Sequence, residues 1–343
     1  MSAPSDRVVV PAQDGRPLVV VQTPRRRFST ALLMLVLLIS VAFNFMLYSA
    51  YHSYFSLGEV SEKFHSGDPL VTDRIALITV EGTIMPPFTG HVLKCIEQAS
   101  KDENVKGVVL VVDSPGGLVA DSNEIYHALR KLETDKHKLI NVSMKRLAAS
   151  GGYYVSMGAG PDGVIFAEPT CWTGSIGVIL PHYDMSKLSD IVGIKDDSLK
   201  TGPYKDTLSL FRPVSEADKK LWSEILDETL DRFLEVIAGS RKGLDVKKIR
   251  EMATGQVFTA KQAKERKLVD QIGFLDDAVK SLKDRLNLSK VRVVSYEMPP
   301  NFLERLISSS ESARPEARWK AILETTVPRA YYLFTSLPGI GPR

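Results

Sequence analysis

Two cysteines in 343 residues, Cys95 and Cys171, are too few for a disulfide framework or a thiolate metal site. We read them as two unpaired thiols. The six histidines show no spacing typical of zinc ligands, so neither a metal nor another cofactor is expected. An excess of one charge is missing too. Forty-four Lys and Arg against 41 Asp and Glu leave a net +3, too small to point to nucleic acid. No internal repeat and no low-complexity segment appears. What remains, 44% hydrophobic and 25% charged, is a globular chain long enough for one large domain or two ordinary ones with a sizeable core.

Polar residues 1–27 end in Arg25-Arg26-Arg27, and from Phe28 to Tyr51 no charge occurs for 24 residues. That run is long enough to cross a bilayer as a helix. Phe43, Phe45, Tyr48, Tyr51 and Tyr54 crowd its distal end, as an interfacial belt does, and the arginines hold the N-terminus in the cytoplasm. A cleaved signal peptide is the rival reading. Its small-x-small match, Ser40-Val41-Ala42, lies inside the apolar run rather than after it, so we read a retained anchor. The resulting division is a cytoplasmic tail (1–27), a transmembrane helix (28–51), a juxtamembrane linker (52–72), a soluble domain from about residue 73 to 288, and a C-terminal extension (289–343) without an assigned role.

Within the soluble domain, Arg74–Val80 reads as a strand and His91–Ser100 as a helix. Gly107–Val112 is a β-branched run of the kind buried on both faces of a parallel sheet. A helix follows over about 123–132, then strands at Leu139–Val142 and Gly163–Ala167. Ser215 caps a long helix to about Gly239, with Leu221, Trp222, Ile225, Leu226, Leu230, Phe233 and Ile237 as its apolar face. Thr259-Ala260-Lys261-Gln262 is a capping box. A helix to about Leu286 and a strand over Val291–Tyr296 complete the pattern. Strands alternating with helices predict an α/β domain with its functional loops at the strand C-termini.

At one such position stands Leu147-Ala148-Ala149-Ser150-Gly151-Gly152-Tyr153-Tyr154. A serine at a strand-to-helix turn exposes its hydroxyl beside N-terminal helix amides, and small neighbours let another backbone approach. A second turn, Asp113-Ser114-Pro115-Gly116-Gly117, ends a buried strand on the same sheet edge. Its Gly117 amide, with that of Ser150 or Gly151, is placed to meet an oxyanion. Ser175, in the small-residue turn Gly174-Ser175-Ile176-Gly177, is a rival nucleophile; we read it as a wall of the site or a partner orienting the base. Residues 138–181 hold no histidine, and His182 is the nearest. A lysine with a pKa lowered by burial is the alternative base. Lys205 lies in the loop Lys200–Asp206, while Lys145 reads as a surface residue; spacing alone singles out neither.

Gly107–Gly117, Ala148–Tyr154, Thr173–Val178, Lys200–Asp206 and Leu268–Gly273 occur in that order. Together they resemble the signal peptide peptidase SppA family of Ser–Lys serine peptidases, over roughly residues 73–288. The resemblance implies the ClpP/crotonase-like fold, a spiral of ββα units. It also implies Ser150 as nucleophile, Lys205 as general base, Gly117 as an oxyanion donor and a ring of identical subunits whose sites are shared between neighbours. It implies further a bacterial inner-membrane enzyme, its catalytic domain outside the cytoplasm, that digests released signal peptides. Two alternatives remain open: a crotonase-type acyl-CoA enzyme and a catalytically silent membrane scaffold.

Overall fold

The structure is a computed structural model and describes residues 27–55, 60–297 and 331–333. The expected cytoplasmic tail and most of the C-terminal extension lie outside the described residues. The chain divides into two compact units, residues 1–57 and 58–343.

The first unit contains one helix, α1 (Arg27–Phe55). Its segment Ala31–Tyr48 has a mean hydropathy of 2.4 and none of it is buried. This helix is long and apolar enough to cross a membrane.

In the second unit the order is β1 (Ser61–Gly67), β2 (Arg74–Glu81), α2 (Phe88–Lys101), β3 (Val105–Ser114), β4 (Gly116–Leu118), α3 (Val119–Thr134), β5 (Leu139–Ala149), α4 (Gly151–Ser156) and a 3-10 turn (Met157–Ala159). Then come β6 (Ile165–Ala167), β7 (Trp172–Gly174), α5 (Ser186–Val192), α6 (Glu216–Ser240), α7 (Val246–Met252) and β8 (Val257–Thr259). The last are α8 (Ala260–Glu265), β9 (Gln271–Ile272), α9 (Leu275–Arg285), β10 (Arg292–Glu297) and β11 (Tyr331–Leu333). Nine strands form one mixed, mostly parallel sheet with the path β1-β10-β2-β3-β5-β6-β9. The α/β class read from the sequence is therefore the class observed.

The sheet is apolar on both faces because its central strands are. Along β2 and β3, Ala76, Ile78, Val80, Val108, Leu110 and Val112 join the larger core, with α2, α3 and α4 laid against it. The alternate residues Ile75, Leu77, Val109 and Val111 pack under Ala278 and Leu282 of α9. Helix wedges on both sides are what parallel strands require. Strand β5 changes neighbour along its length, pairing with β6 through Val142–Met144 and with β7 through Leu147–Ala149. That change leaves the end of β5 bounded by β7, next to the Ser150 turn.

Local signals place several boundaries. Ser215 accepts a bond from the Asp218 amide and Asp218 from the Ser215 amide, the reciprocal cap at the start of α6; Thr259 and Gln262 do the same for α8. Arg212 also bonds the Asp218 carboxylate at 2.7 Å, and chiefly through that bond its pKa falls to about 2. A depressed carboxylate stabilises the fold above its ordinary pKa near 3.8, and the contribution disappears as pH falls from there through about 2. The melting temperature of the Asp218→Asn chain is therefore expected to fall less steeply than wild type between pH 4 and 2. Thermal melts across that window check it, and parallel curves would remove Asp218 from the acid response.

Elsewhere packing overrode pattern. Residues 61–67, within the stretch read as a linker, pair antiparallel with β10 as an edge strand. The apolar face of α6 is fully covered only in its C-terminal half. Phe233 and Ile237 are fully buried, whereas Leu221, Trp222 and Leu226 are half-buried, with Trp222 bonding Thr207, and Ile225 is 40% exposed at the rim of a cavity.

Candidate active site

Three strand ends meet at the site. β5 stops at Ala149, in register with Gly174 at the end of β7, and the two residues that follow, Ser150 and Ser175, both have positive φ, 55° and 50°. A non-glycine residue in that region carries about 1–3 kcal/mol of strain and persists only where its surroundings impose it. At Ser150 the causes are visible. Its N–H donates to the Gly174 carbonyl at 2.8 Å and its carbonyl accepts from Tyr154 N–H at 2.8 Å. With ψ at −115°, the chain turns sharply from strand into α4. Ser150 N–H is thus engaged by the Gly174 carbonyl, one of the two alternatives the sequence left for an oxyanion donor. Gly151 opens α4, where the helix itself offers its N–H no acceptor.

The Gly116-Gly117 turn lies against that helix start. A Cβ on Gly151 would sit 2.6 Å from Ser122 Oγ and 3.1 Å from both Gly116 Cα and the Gly117 nitrogen. The two amides expected to form the oxyanion hole thus belong to backbones in van der Waals contact. Gly117 is fixed from its other side by Ile84, whose N–H donates to Gly116 O (2.9 Å) and whose carbonyl accepts from Leu118 N–H (2.8 Å). A Cβ on Gly117 would meet Ile84 O at 2.0 Å, so glycine is required there. Ser114 Oγ donates to Gly82 O at 2.6 Å and accepts from Gly116 N–H at 3.1 Å, holding the turn in place. Ser114 and Ser122 were not singled out in the sequence. Ser114 lay inside the quoted motif, whereas Ser122 carried no signal short of the fold.

Ser150 is 1% exposed and its Oγ has no hydrogen-bond partner among the described residues. Ser175, beside it, is also buried and donates its N–H to Gln256 O at 2.8 Å. The side chains behind the turn are locked. Tyr153 donates its hydroxyl to Leu268 O and Tyr154 to Asn123 Oδ1, each at 2.8 Å. Burial drives the Tyr154 phenol to about 12 and raises Tyr153 as well, so neither supplies a base near neutral pH. Burial likewise raises the Cys171 thiol to about 12 and Cys95 to about 11, which leaves both thiols protonated and poor nucleophiles. Both cysteines are free, as read from the sequence.

The structure does not bring Lys205 to Ser150. Lys205 is exposed in the 193–215 loop, beside a cavity of about 600 Å³ lined also by Leu199, Lys200, Tyr204, Thr207 and Trp222. Its neighbour Lys200 is paired with Asp206 at 2.6 Å. With Ser150 Oγ unpartnered, neither Lys205, Lys145 nor His182 stands within hydrogen-bond reach of it. His182 Nε2 is itself buried without a partner, and Lys145 is half-buried rather than on the surface. A second cavity, about 910 Å³, opens beside β4 and α4, with Leu118, Val119, Tyr154 and Ile225 as apolar walls and Asp121 and Arg232 among its polar ones.

The profile described as Peptidase family S49 matches residues 132–289, a span that includes Ser150, Ser175 and Lys205 but not Gly117. The chain is 36% identical over 71% of its length to an Enterococcus faecium protein named "Putative signal peptide peptidase SppA", covering 68% of that protein. It is 35% identical over 68% of its length to a Synechocystis protein named as a putative protease, covering 82% of it. Protease 4 of Salmonella typhi is 31% identical over 62% of the chain, which spans 34% of that longer protein. A strained serine between two glycine-rich backbones and these likenesses agree: the chain is a serine-type peptidase and belongs to peptidase family S49, the family of signal peptide peptidase SppA.

Proposed function

We propose that the protein is a membrane-anchored serine endopeptidase in which Ser150 attacks the peptide carbonyl and Lys205 of a neighbouring copy is the general base. The observation that carries the reading is the buried, unpartnered Ser150 hydroxyl, held at a strained turn against Gly116, Gly117 and Gly151. A neutral Lys205 amine takes the Ser150 proton as Oγ bonds to the carbonyl carbon. The Gly117 and Gly151 N–H groups receive the oxyanion. The resulting ammonium gives its proton to the leaving amine as the C–N bond breaks. Lys205 then removes a proton from water, which attacks the acyl ester and regenerates Ser150. Ser175 lines the site and orients the amine.

Exposed Tyr183, Leu188, Ile191, Ile194 and Leu199, with the open end of α6, offer the apolar contact a ring of identical subunits needs. Residues 28–51 are the anchor, and 73–288, with the flanking strands β1 and β10 that complete its sheet, are a peptidase domain of ClpP/crotonase-like spiral form. The anchor would be in a bacterial inner membrane with the N-terminus cytoplasmic and the peptidase domain outside. The name of the Enterococcus relative, the apolar-walled cavity beside β4 and the anchor favour signal peptides and other apolar segments as substrates.

The test is labelling by a fluorophosphonate in membranes. Wild type is expected to label and Ser150→Ala not at all. Lys205→Ala is expected to label about 10²-fold more slowly or less, the low end of what a positioned base contributes. Equal labelling of Ser150→Ala and wild type would end the assignment; a wild-type chain that never labels would favour the acyl-CoA enzyme or the silent scaffold.

A further inference from the structure

Helix α1 carries more polarity than a plain anchor needs. Between Ala31 and Leu47, Ser40 and Asn44 are the only residues with a hydroxyl or an amide side chain. Both are exposed, and none of the segment Ala31–Tyr48 is buried. Asn44 Nδ2 donates to Ser40 O, one turn back, at 2.8 Å and lies 3.5 Å from Ser40 Oγ. Among the described residues nothing donates to Asn44 Oδ1. In water such a carboxamide would be unremarked. In hydrocarbon there is no water to meet an open acceptor, so leaving it unpaired is costly. A polar side chain within a membrane helix ordinarily finds its partner on another helix.

The neighbours of this pair define a face. Leu33, Leu37, Ser40, Asn44 and Leu47 are spaced 4, 3, 4 and 3 residues apart, which puts all five on one stripe of a helix. Their mean period of 3.5 is that of a coiled-coil seam, with Leu37 and Asn44 at a positions and Leu33, Ser40 and Leu47 at d. The three leucines are exposed. Other stripes of this leucine-rich helix can be drawn in apolar residues alone, and the polar pair is what singles out this one. A carboxamide is its own complement, with two N–H donors and an accepting oxygen. Identical chains inserted the same way present parallel helices, so Asn44 at an a position meets Asn44. One asparagine at such a position also fixes the register of two parallel strands, and small Ser40 lets the backbones approach.

We infer that α1 pairs, parallel and in register, with α1 of a second copy of this chain, the two Asn44 side chains bonding each other across the seam. The inference rests on the reading of residues 28–51 as a membrane span and goes beyond it by giving that span a partner. It does not depend on the contacts proposed for the peptidase domains.

Cysteine crosslinking of the full-length chain in membranes tests it. The native cysteines are buried in the other unit and do not compete. Under mild oxidation, Leu33→Cys, Leu37→Cys and Leu47→Cys chains are expected to give disulfide-linked dimers in yields several-fold above those of Leu38→Cys, Ala42→Cys and Phe45→Cys, which lie on the opposite face. Adding Asn44→Leu to the Leu37→Cys chain is expected to lower its yield at least about three-fold, the average worth of an interhelical hydrogen bond in a membrane. Asn44→Gln, which keeps the carboxamide, is expected to retain it. Yields that are even around the helix, or that Asn44→Leu leaves unchanged, overturn the inference. An alkaline carbonate wash of the wild-type membranes separates the two readings. A chain that stays in the pellet yet crosslinks evenly is anchored without this pairing, whereas a chain that washes off loses the span and the pairing together.

Discussion

Ser150→Ala is expected to lower kcat/KM for apolar peptides by about 10⁴-fold or more, the scale on which removing a serine nucleophile acts in serine peptidases. The loss should appear without unfolding, because the Ser150 side chain contributes no hydrogen bond to the fold. Its hydroxyl has no described partner, while its backbone carries the bonds to Gly174 O and Tyr154 N–H. The companion variant Ser150→Gly separates function from strain. A φ of 55° with ψ of −115° disfavours any residue bearing a Cβ, so glycine is expected to be equally inactive yet more stable, by about 1 kcal/mol. Hydrolysis assays with thermal melts on both variants test the pair. Activity above a tenth of wild type in either would remove Ser150 from the chemistry, and a Ser150→Gly chain less stable than wild type would deny the strain.

What the sequence disclosed and what it hid divide along one line. Wherever a residue's role depends on its immediate neighbours, the reading succeeded: the doubly buried run Gly107–Val112 in β3, the reciprocal caps at Ser215 and Thr259, and the serine turn between strand and helix. Wherever the role depends on what the chain meets in space, it stayed concealed. Nothing in Ser61-Glu62-Lys63-Phe64-His65-Ser66-Gly67 alternates like a half-buried strand, and these residues are mostly exposed; they form β1 because β10 offers an edge. The three-residue strands β7 and β8 are too short to carry a periodicity, yet β7 sets the partner of the Ser150 amide. The helix expected from residue 123 starts four residues earlier at Val119, leaving the two-glycine turn almost no chain between β4 and α3. The missing base belongs to the same class. No pattern near Ser150 names one, because none of the lysines or histidines considered lies within bonding reach of it in the single chain.

Mixing two inactive chains is therefore expected to restore activity. If the Ser150 of one subunit is served by the Lys205 of the next, a ring assembled from equal amounts of Ser150→Ala and Lys205→Ala chains contains some sites with both residues intact. Each site draws its serine and its lysine from independently chosen copies, so about a quarter of sites are complete. Activity should approach that fraction of wild type after the two chains are co-expressed, and stay near zero when they are assembled separately and combined without exchange. Were both residues supplied by one chain, no mixed ring would hold a complete site and co-expression would recover nothing. The geometry prepares for the first outcome. A buried hydroxyl has no partner among the described residues, a solvent-exposed amine lies in a loop flanked by exposed Leu199 and Tyr204, and Ile225 on α6 is 40% exposed. Covering those side chains stabilises assembly by about 25 cal/mol for each Å² of apolar surface removed from water. If the same contact delivers the amine, subunits that fail to associate are expected to be inactive although each is folded.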